Sequence, residues 1–322
     1  MKLEGAPVKQ KQLVGLRSTE YEHPFDRNAL EALRGTPGLE TIVKKFNHYG
    51  IEKLLKIRYT GSNIKVDDRN YPELYDTLRQ VCAIIDLPEI PDLYIQWGYE
   101  INAFTAGVEK PIIVLNSSCI DFLSKEELMF IIGHEAGHIK SQHVLYHQIA
   151  EVLPIMGDII GNATLGIGSL ISTGAEIALL NWQRMSEFTA DRAGLLACQD
   201  ANIATKAMVK LAGVPQKYFN SINVEEFIAQ AKEFEGYDYD TLDKIVKLMS
   251  TMWMSHPWTV MRGAEFFKWI DTGEYDRLLS ANRLENLIGN SNASGTGKMA
   301  CPNCGATLKG VEKFCPYCGN KI

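Results

Sequence analysis

Residues 128–148, Leu-Met-Phe-Ile-Ile-Gly-His-Glu-Ala-Gly-His-Ile-Lys-Ser-Gln-His-Val-Leu-Tyr-His-Gln, decide the reading of this chain. The segment reads as a helix. Ser124 and Glu127 form a capping-box pattern just before the apolar run, and Phe130, Ile131, Ile132 and Ile139 predict that the helix is largely buried. Helix positions i and i+4 are surface neighbours, about 5–6 Å apart at Cβ, so His134 and His138 can bind one zinc ion. Glu135 then projects toward the open side of the metal, where it can accept a proton from a zinc-bound water. H-E-x-x-H is the sequence form of a zinc peptidase. The competing reading is two core histidines beside a surface glutamate. Gly137 costs about 1 kcal/mol relative to Ala within a helix. The Ala136-Gly137 pair is expected to leave room beside the histidines for metal and substrate.

A catalytic zinc takes three protein ligands and keeps a fourth position open. The H-E-x-x-H-x-x-G-x-x-H solution is absent, because Ser141 stands where Gly is needed and Val144 where the third His is needed. His143 and His147 read as surface or packing residues further along the same helix. The alternative third ligand is a carboxylate on a later helix, and Ser186-Glu187-Phe188-Thr189-Ala190-Asp191-Arg192 suits it. Glu187 can reach the zinc, and Asp191, one turn on, can accept a hydrogen bond from a liganding imidazole and fix its tautomer. By itself the segment would pass for the acidic stripe of an amphipathic helix.

With these two blocks in order, the chain resembles the M48 family of zinc metallopeptidases, which includes the bacterial heat-shock membrane protease and the eukaryotic CaaX-processing protease. Asn102-Ala103-Phe104, followed by the strand-like Pro111-Ile112-Ile113-Val114-Leu115-Asn116, is similar to the family's N-A-F segment and the strand after it. Ser255-His256-Pro257, with Arg262 shortly after, is similar to its T/S-H-P block. The likeness runs over roughly residues 20–270. It implies His134, His138 and Glu187 as zinc ligands, Glu135 as the base, Asp191 as a partner of a liganding histidine, and His256 as the transition-state stabiliser. It also implies that Asn102, Ala103 and Phe104 belong to an exposed edge strand onto which an extended peptide adds. From the residues alone, 93–97 and 111–115 are two strand-like runs around a Gly-containing connection, which a plain hairpin would also satisfy.

Cys301-Pro302-Asn303-Cys304-Gly305 and Cys315-Pro316-Tyr317-Cys318-Gly319 are two C-P-x-C-G knuckles. Their four thiolates close a tetrahedral structural zinc site, and metal binding would supply most of the folding energy of so short a segment. Two disulfides or a redox pair are the competing readings. Cys82, Cys119 and Cys198 lie in apolar surroundings and read as reduced core residues.

Composition sets the frame. The 322 residues are 46% hydrophobic, enough for one sizeable helical domain and a small appendage. A net charge of −6 argues against non-specific nucleic-acid binding by the main domain. Lys2, Glu4, Lys9 and Lys11 interrupt any N-terminal apolar run, so no signal peptide is read and a reducing, cytoplasmic setting is expected. The organisation reads as a polar arm over 1–20, a metallopeptidase domain over 21–286, a Gly/Ser/Asn linker over 287–299 and a zinc ribbon over 300–322. Helices are expected between 25 and 87, broken at 35–38 and 59–63, and again around 203–213, 223–234, 238–254 and 259–284. Residues 159–175 carry no charge, but glycines and hydroxyl residues dilute them. Two buried or surface-docked helices over 152–180 are favoured over a membrane span, and peripheral membrane contact there stays open.

The expected fold is mostly α with a small β-sheet or hairpin, zincin-like, plus the ribbon. The expected function is zinc-dependent hydrolysis of peptide bonds in proteins or peptides, with one catalytic and one structural Zn2+; a part in protein quality control rests on the resemblance. The ribbon is expected to dock a protein partner. The rival reading is a catalytically silent zinc scaffold whose ribbon recruits a protein or a nucleic acid. For the latter, Lys309, Lys313, Phe314, Tyr317 and Lys321 are only a modest basic and aromatic set.

Overall fold

The structure, a computed structural model, describes residues 10–39, 42–43, 46, 50–152, 167–236 and 258–281, with backbone alone at 51, 167–173 and 235–236. His256, the four ribbon cysteines, the linker, the helix expected over 238–254 and residues 153–166 of the apolar stretch lie outside the described residues.

The helices are α1 (Pro24–Arg34), α2 (Ile51–Ser62), α3 (Pro72–Ile84), α4 (Ser117–Phe122), α5 (Lys125–Lys140), α6 (Ile167–Cys198), α7 (Ala201–Leu211), α8 (Val224–Gly236), α9 (Thr259–Asp271) and α10 (Glu274–Ser280). The strands are β1 (Ile64–Val66), β2 (Asp92–Gln96), β3 (Ala103–Ala106) and β4 (Ile112–Asn116). They form one mixed sheet of order β1-β2-β4-β3. The two strand-like runs, β2 and β4, are parallel neighbours with Leu93 opposite Ile113, so they are not the arms of a hairpin. The connection between them holds β3, which pairs antiparallel with β4 (Ala103 opposite Leu115) and, among the described residues, ends the sheet.

Period-two alternation divides the core in two. Leu93, Ile113 and Leu115 pack into one cluster with α3, α5, the C-terminal half of α6 and α9. Tyr94, Ile112 and Val114 point the other way, into a second cluster with α1, α2 and Trp182. β4 is therefore buried on both faces. Residues 10–20, read from the sequence as part of a polar arm, run along this body: Leu13 and Leu16 are buried, and the Leu13 N–H donates to the Ile84 carbonyl at 2.8 Å.

α5 starts as its sequence dictates. The Ser124 hydroxyl accepts from the Glu127 N–H (3.2 Å) and the Glu127 carboxylate accepts from the Ser124 N–H (2.7 Å). It stops earlier than expected: Gln142 has φ 60°, and a separate helical stretch covers 144–152. The later segments differ too. α6 is one helix of 32 residues that takes in 167–180, whereas α9 and α10 are divided at Gly273, in the left-handed region at φ 75°. α2 runs through Tyr59 to Ser62, with the Thr60 and Ser62 hydroxyls bonded back to the carbonyls of Lys56 and Arg58. Among the described residues no helix is long and apolar enough to cross a membrane.

α5 and α6 cross at small residues. A Cβ at Gly137 would lie 2.5 Å from the Ala193 Cβ, one at Gly133 2.4 Å from the Ala197 Cβ, and one at Gly194 2.9 Å from the Phe130 ring. This corrects the expected use of Gly137. The space it leaves is filled by α6 rather than by metal or substrate.

Gly137→Ala should lower the urea midpoint even though Ala is the better helix former, since overpacking costs about 1–3 kcal/mol. Ala193→Gly in the same chain should restore most of the loss. An unshifted midpoint in the single variant would show slack at the crossing.

Candidate active site and metal centre

The close crossing brings three donors from two helices together. His134 Nε2 and His138 Nε2 are 3.2 Å apart, His134 Nε2 is 3.4 Å from Glu187 Oε2, and His138 Nε2 is 3.4 Å from Glu187 Oε1. All three side chains are buried. Tetrahedral zinc with Zn–N and Zn–O bonds near 2.0–2.1 Å has ligand–ligand edges of about 3.3–3.4 Å, so the triangle has the size of one face of such a site. Two imidazoles and a carboxylate are also the donor set of catalytic zinc. The residues present fit the metal.

Each imidazole is held at its far nitrogen. His134 Nδ1 lies 3.0 Å from Asp191 Oδ1, and Arg262 grips that carboxylate with Nε (2.8 Å to Oδ2) and Nη2 (2.5 Å to Oδ1). Burial works to raise the Asp191 carboxyl, but Arg262 and His134 outweigh it and hold it below the usual range. Burial opposes charge on His134, yet Asp191 and Glu187 lift its pKa to about 10. His138 goes the other way, lowered chiefly by burial.

The second hold was not legible in the sequence. The turn at Gln142 folds His143 back, so that His143 N–H donates to the His138 carbonyl at 2.9 Å and the two Nδ1 atoms lie 3.0 Å apart. His143 Nε2 is 3.1 Å from Asp26 Oδ2 on α1, and Asp26 also accepts from Trp182 Nε1 (3.0 Å) and Thr189 Oγ1 (2.6 Å). If His138 coordinates through Nε2, its Nδ1–H donates to His143 Nδ1, whose own proton sits on Nε2 and goes to Asp26. His143 is thus neither a surface residue nor on the helix of its neighbour. His147, half-buried, sits 2.8 Å from the Ser186 hydroxyl.

Glu135 is buried beside the triad and is held by the edge strand. The Thr105 hydroxyl donates to Glu135 Oε2 at 2.7 Å. The centre opens on two cavities. The larger, about 940 Å³, is walled by Tyr99, Ile131, Phe219 and Trp258. The smaller, about 340 Å³, runs along Phe104 and Thr105 past His138. Asn102 and Ala103 line both. The structure therefore brings together His134, Glu135, His138, Glu187, Asp191 and the 102–104 segment. Sequence reasoning missed Asp26, His143 and Thr105, none of which lies in a recognisable pattern.

The chain was compared with known proteins. The model of peptidase family M48 matches residues 69–270, and that of a zinc-ribbon domain matches 301–322. A plastoglobule-localized metallopeptidase 48, chloroplastic, from Arabidopsis thaliana is 31% identical over 272 residues, covering 83% of this chain and 77% of that protein. A protease HtpX homolog 2 from Methanosarcina mazei is 29% identical over 178 residues, 48% of this chain and 60% of the relative. A protease HtpX homolog from Thermodesulfovibrio yellowstonii is 33% identical over 110 residues, 34% and 38% of the two chains. The chain thus spans less than two thirds of these HtpX relatives. No solved structure matches.

For zinc held by the triad, His143→Ala or Asp26→Asn should weaken affinity about 10–100-fold in a chelator competition. Unchanged affinity would leave the relay without a part in metal binding. Asp26 is held low against the effect of burial, with His143 its first opposing partner. The stability it contributes is therefore present at neutral pH and lost as pH falls through its folded-state pKa. Asp26→Asn should flatten the acid limb of a stability–pH curve.

Proposed function

Because the chain belongs to peptidase family M48 and is a metallopeptidase, we propose that it is a zinc endopeptidase acting on extended or unfolded protein segments with Glu135 as its general base. The observation that carries this reading is the donor triangle of His134, His138 and Glu187 with Glu135 buried at its side. When bound there, zinc would supply Lewis acidity toward water and the scissile carbonyl. Glu135 takes the proton of the attacking water and delivers it to the leaving amine. Thr105 fixes the carboxylate that does this, and Asp191 with Arg262 keeps the His134 ring oriented. His256 keeps the role of oxyanion donor that the family likeness suggests.

β3 is the proposed docking edge. It ends the sheet and lines both cavities, so a substrate strand laid on it would cross the triad. Only an extended segment can add to a strand edge, which favours unfolded protein and a quality-control role. The ribbon at 301–322 would hold a second, structural zinc through Cys301, Cys304, Cys315 and Cys318 and dock a protein partner. A cytoplasmic location, with peripheral membrane contact through 152–180, completes the proposal.

Zinc-loaded protein should cut unfolded casein, and Glu135→Gln should keep its zinc while losing about 10²–10⁴-fold in rate. Chelation should abolish cleavage and added zinc should restore it. Equal cleavage by both proteins would remove Glu135 from the mechanism, and none by wild type would argue for a scaffold.

A further inference from the structure

Trp97 and Tyr99 are the most exposed large hydrophobic side chains among the described residues, at 75% and 82%, and their rings meet edge to face with centroids 5.0 Å apart. The loop that carries them, between β2 and β3, is tied down by its backbone. The Gly98 carbonyl accepts from the Ser118 N–H, and the Asn102 carbonyl accepts from the Asn116 N–H. The Glu100 carbonyl accepts from the Asn116 side-chain amide and from the Ser118 hydroxyl. A Cβ at Gly98 would lie 2.7 Å from the Asn116 side chain, so only glycine allows this approach without a shift. Residues 98, 100 and 102 are thus fastened at the start of α4, and the rings of 97 and 99 stand in solvent between the fastenings. Single exposed apolar side chains are ordinary on protein surfaces. Two aromatic rings held together on a fixed support are the kind of anchor that dominates binding, since little freedom is left to lose when a partner arrives.

Resting on the peptidase reading, we propose that Trp97 and Tyr99 form a subsite that takes an aromatic or large aliphatic side chain of the substrate, a few residues from the scissile bond. The occupant follows from continuity with the cleft. Residues 99–103 line the larger cavity without a break, beside His134, Glu135 and Glu187, so one wall runs from Ala103 on the edge strand to Tyr99. Trp97 stands one alternation further out. A chain leaving β3 along this wall reaches Tyr99 within four residues, at most about 13 Å at ~3.3 Å each. The cavity it crosses is apolar at Ile101, Ile131, Phe219 and Trp258, and its Lys210 is already paired with Glu127 at 2.7 Å. An apolar side chain removes ring surface from water and asks for no polar partner. Side chains of that kind are mostly buried in folded proteins and come within reach only when the chain is open. The subsite therefore selects for unfolded state as well as for residue type.

The test has a binding arm and a turnover arm. Both use fluorescent, unstructured peptides of one sequence in which a single Phe, Lys or Ser is stepped along the chain. In the zinc-loaded Glu135→Gln protein, Phe at one position should bind about tenfold or more tighter than Ser there. Trp97→Ala with Tyr99→Ala should bring that ratio near one, and Trp97→Phe with Tyr99→Phe should keep most of it. With Glu135 restored, the Phe-to-Ser ratio of kcat/KM should follow the binding ratio in each variant. Absence of any preferred position, Lys bound better than Phe, or a preference that survives the double alanine variant would overturn the assignment. So would equal weakening of the Phe and Ser peptides by that variant, which would mark the rings as support for the loop. If the double alanine variant loses binding to phosphatidylcholine vesicles but keeps the peptide preference, the rings serve a membrane and the proposal fails. A positional preference for Phe with no peptide cut would count against the peptidase reading and still support the pair as an apolar-peptide subsite.

Discussion

The crossing of α5 and α6 is the constraint on which the rest depends. Helices in ordinary contact keep their axes about 8–10 Å apart, with side chains filling the interval. Here Gly133 and Gly137 admit the Ala197 and Ala193 methyl groups and Gly194 admits the Phe130 ring, so no larger side chain holds the two helices apart at these positions. Only at such closeness can a carboxylate on one helix and two imidazoles on the other meet at 3.2–3.4 Å while all three remain buried. The sheet is fitted to the same pair, since β3 rests on α5 through Thr105 and Glu135.

Charge bookkeeping explains why the surroundings are so heavily bonded. Glu135, Glu187, Asp191 and Asp26 are all at most 6% exposed, and buried carboxylates persist only when compensated. Asp191 has Arg262, and Asp26 has His143, Trp182 and Thr189. Glu187 has the two imidazoles at 3.4 Å and a guanidinium nitrogen at 3.9 Å. A divalent cation held by these groups would add to that compensation.

Much of this was legible because it is local. The i, i+4 spacing of His134 and His138, the capping box at Ser124 and the apolar, strand-like run Ile112 to Leu115 are each written within a few residues. Glu187 and Asp191 were legible because they share one helical face at i, i+4. The parallel pairing of β2 and β4 was not, since a strand pattern carries no direction. Nor was the turn at Gln142, where a non-glycine residue adopts φ 60° with no local sign of it. Asp26 and His143 escaped because their partnership is long-range, and the role of Gly137 because a gap reads the same whether ligand or helix fills it.

The span of these contacts bears on how the protein comes into being. Asp26 meets Thr189 across 163 positions, Arg262 meets Asp191 across 71, and His23 in the cap of α1 meets Glu265 on α9 across 242. Contacts of such separation form late, after most of the chain's freedom has been spent. A ribosome-bound chain lacking α9 has no guanidinium for Asp191, and one whose α1 has not docked has no carboxylate for His143. The metal centre can therefore mature only on a finished domain. A metallopeptidase would in this way be harmless while it is itself incomplete.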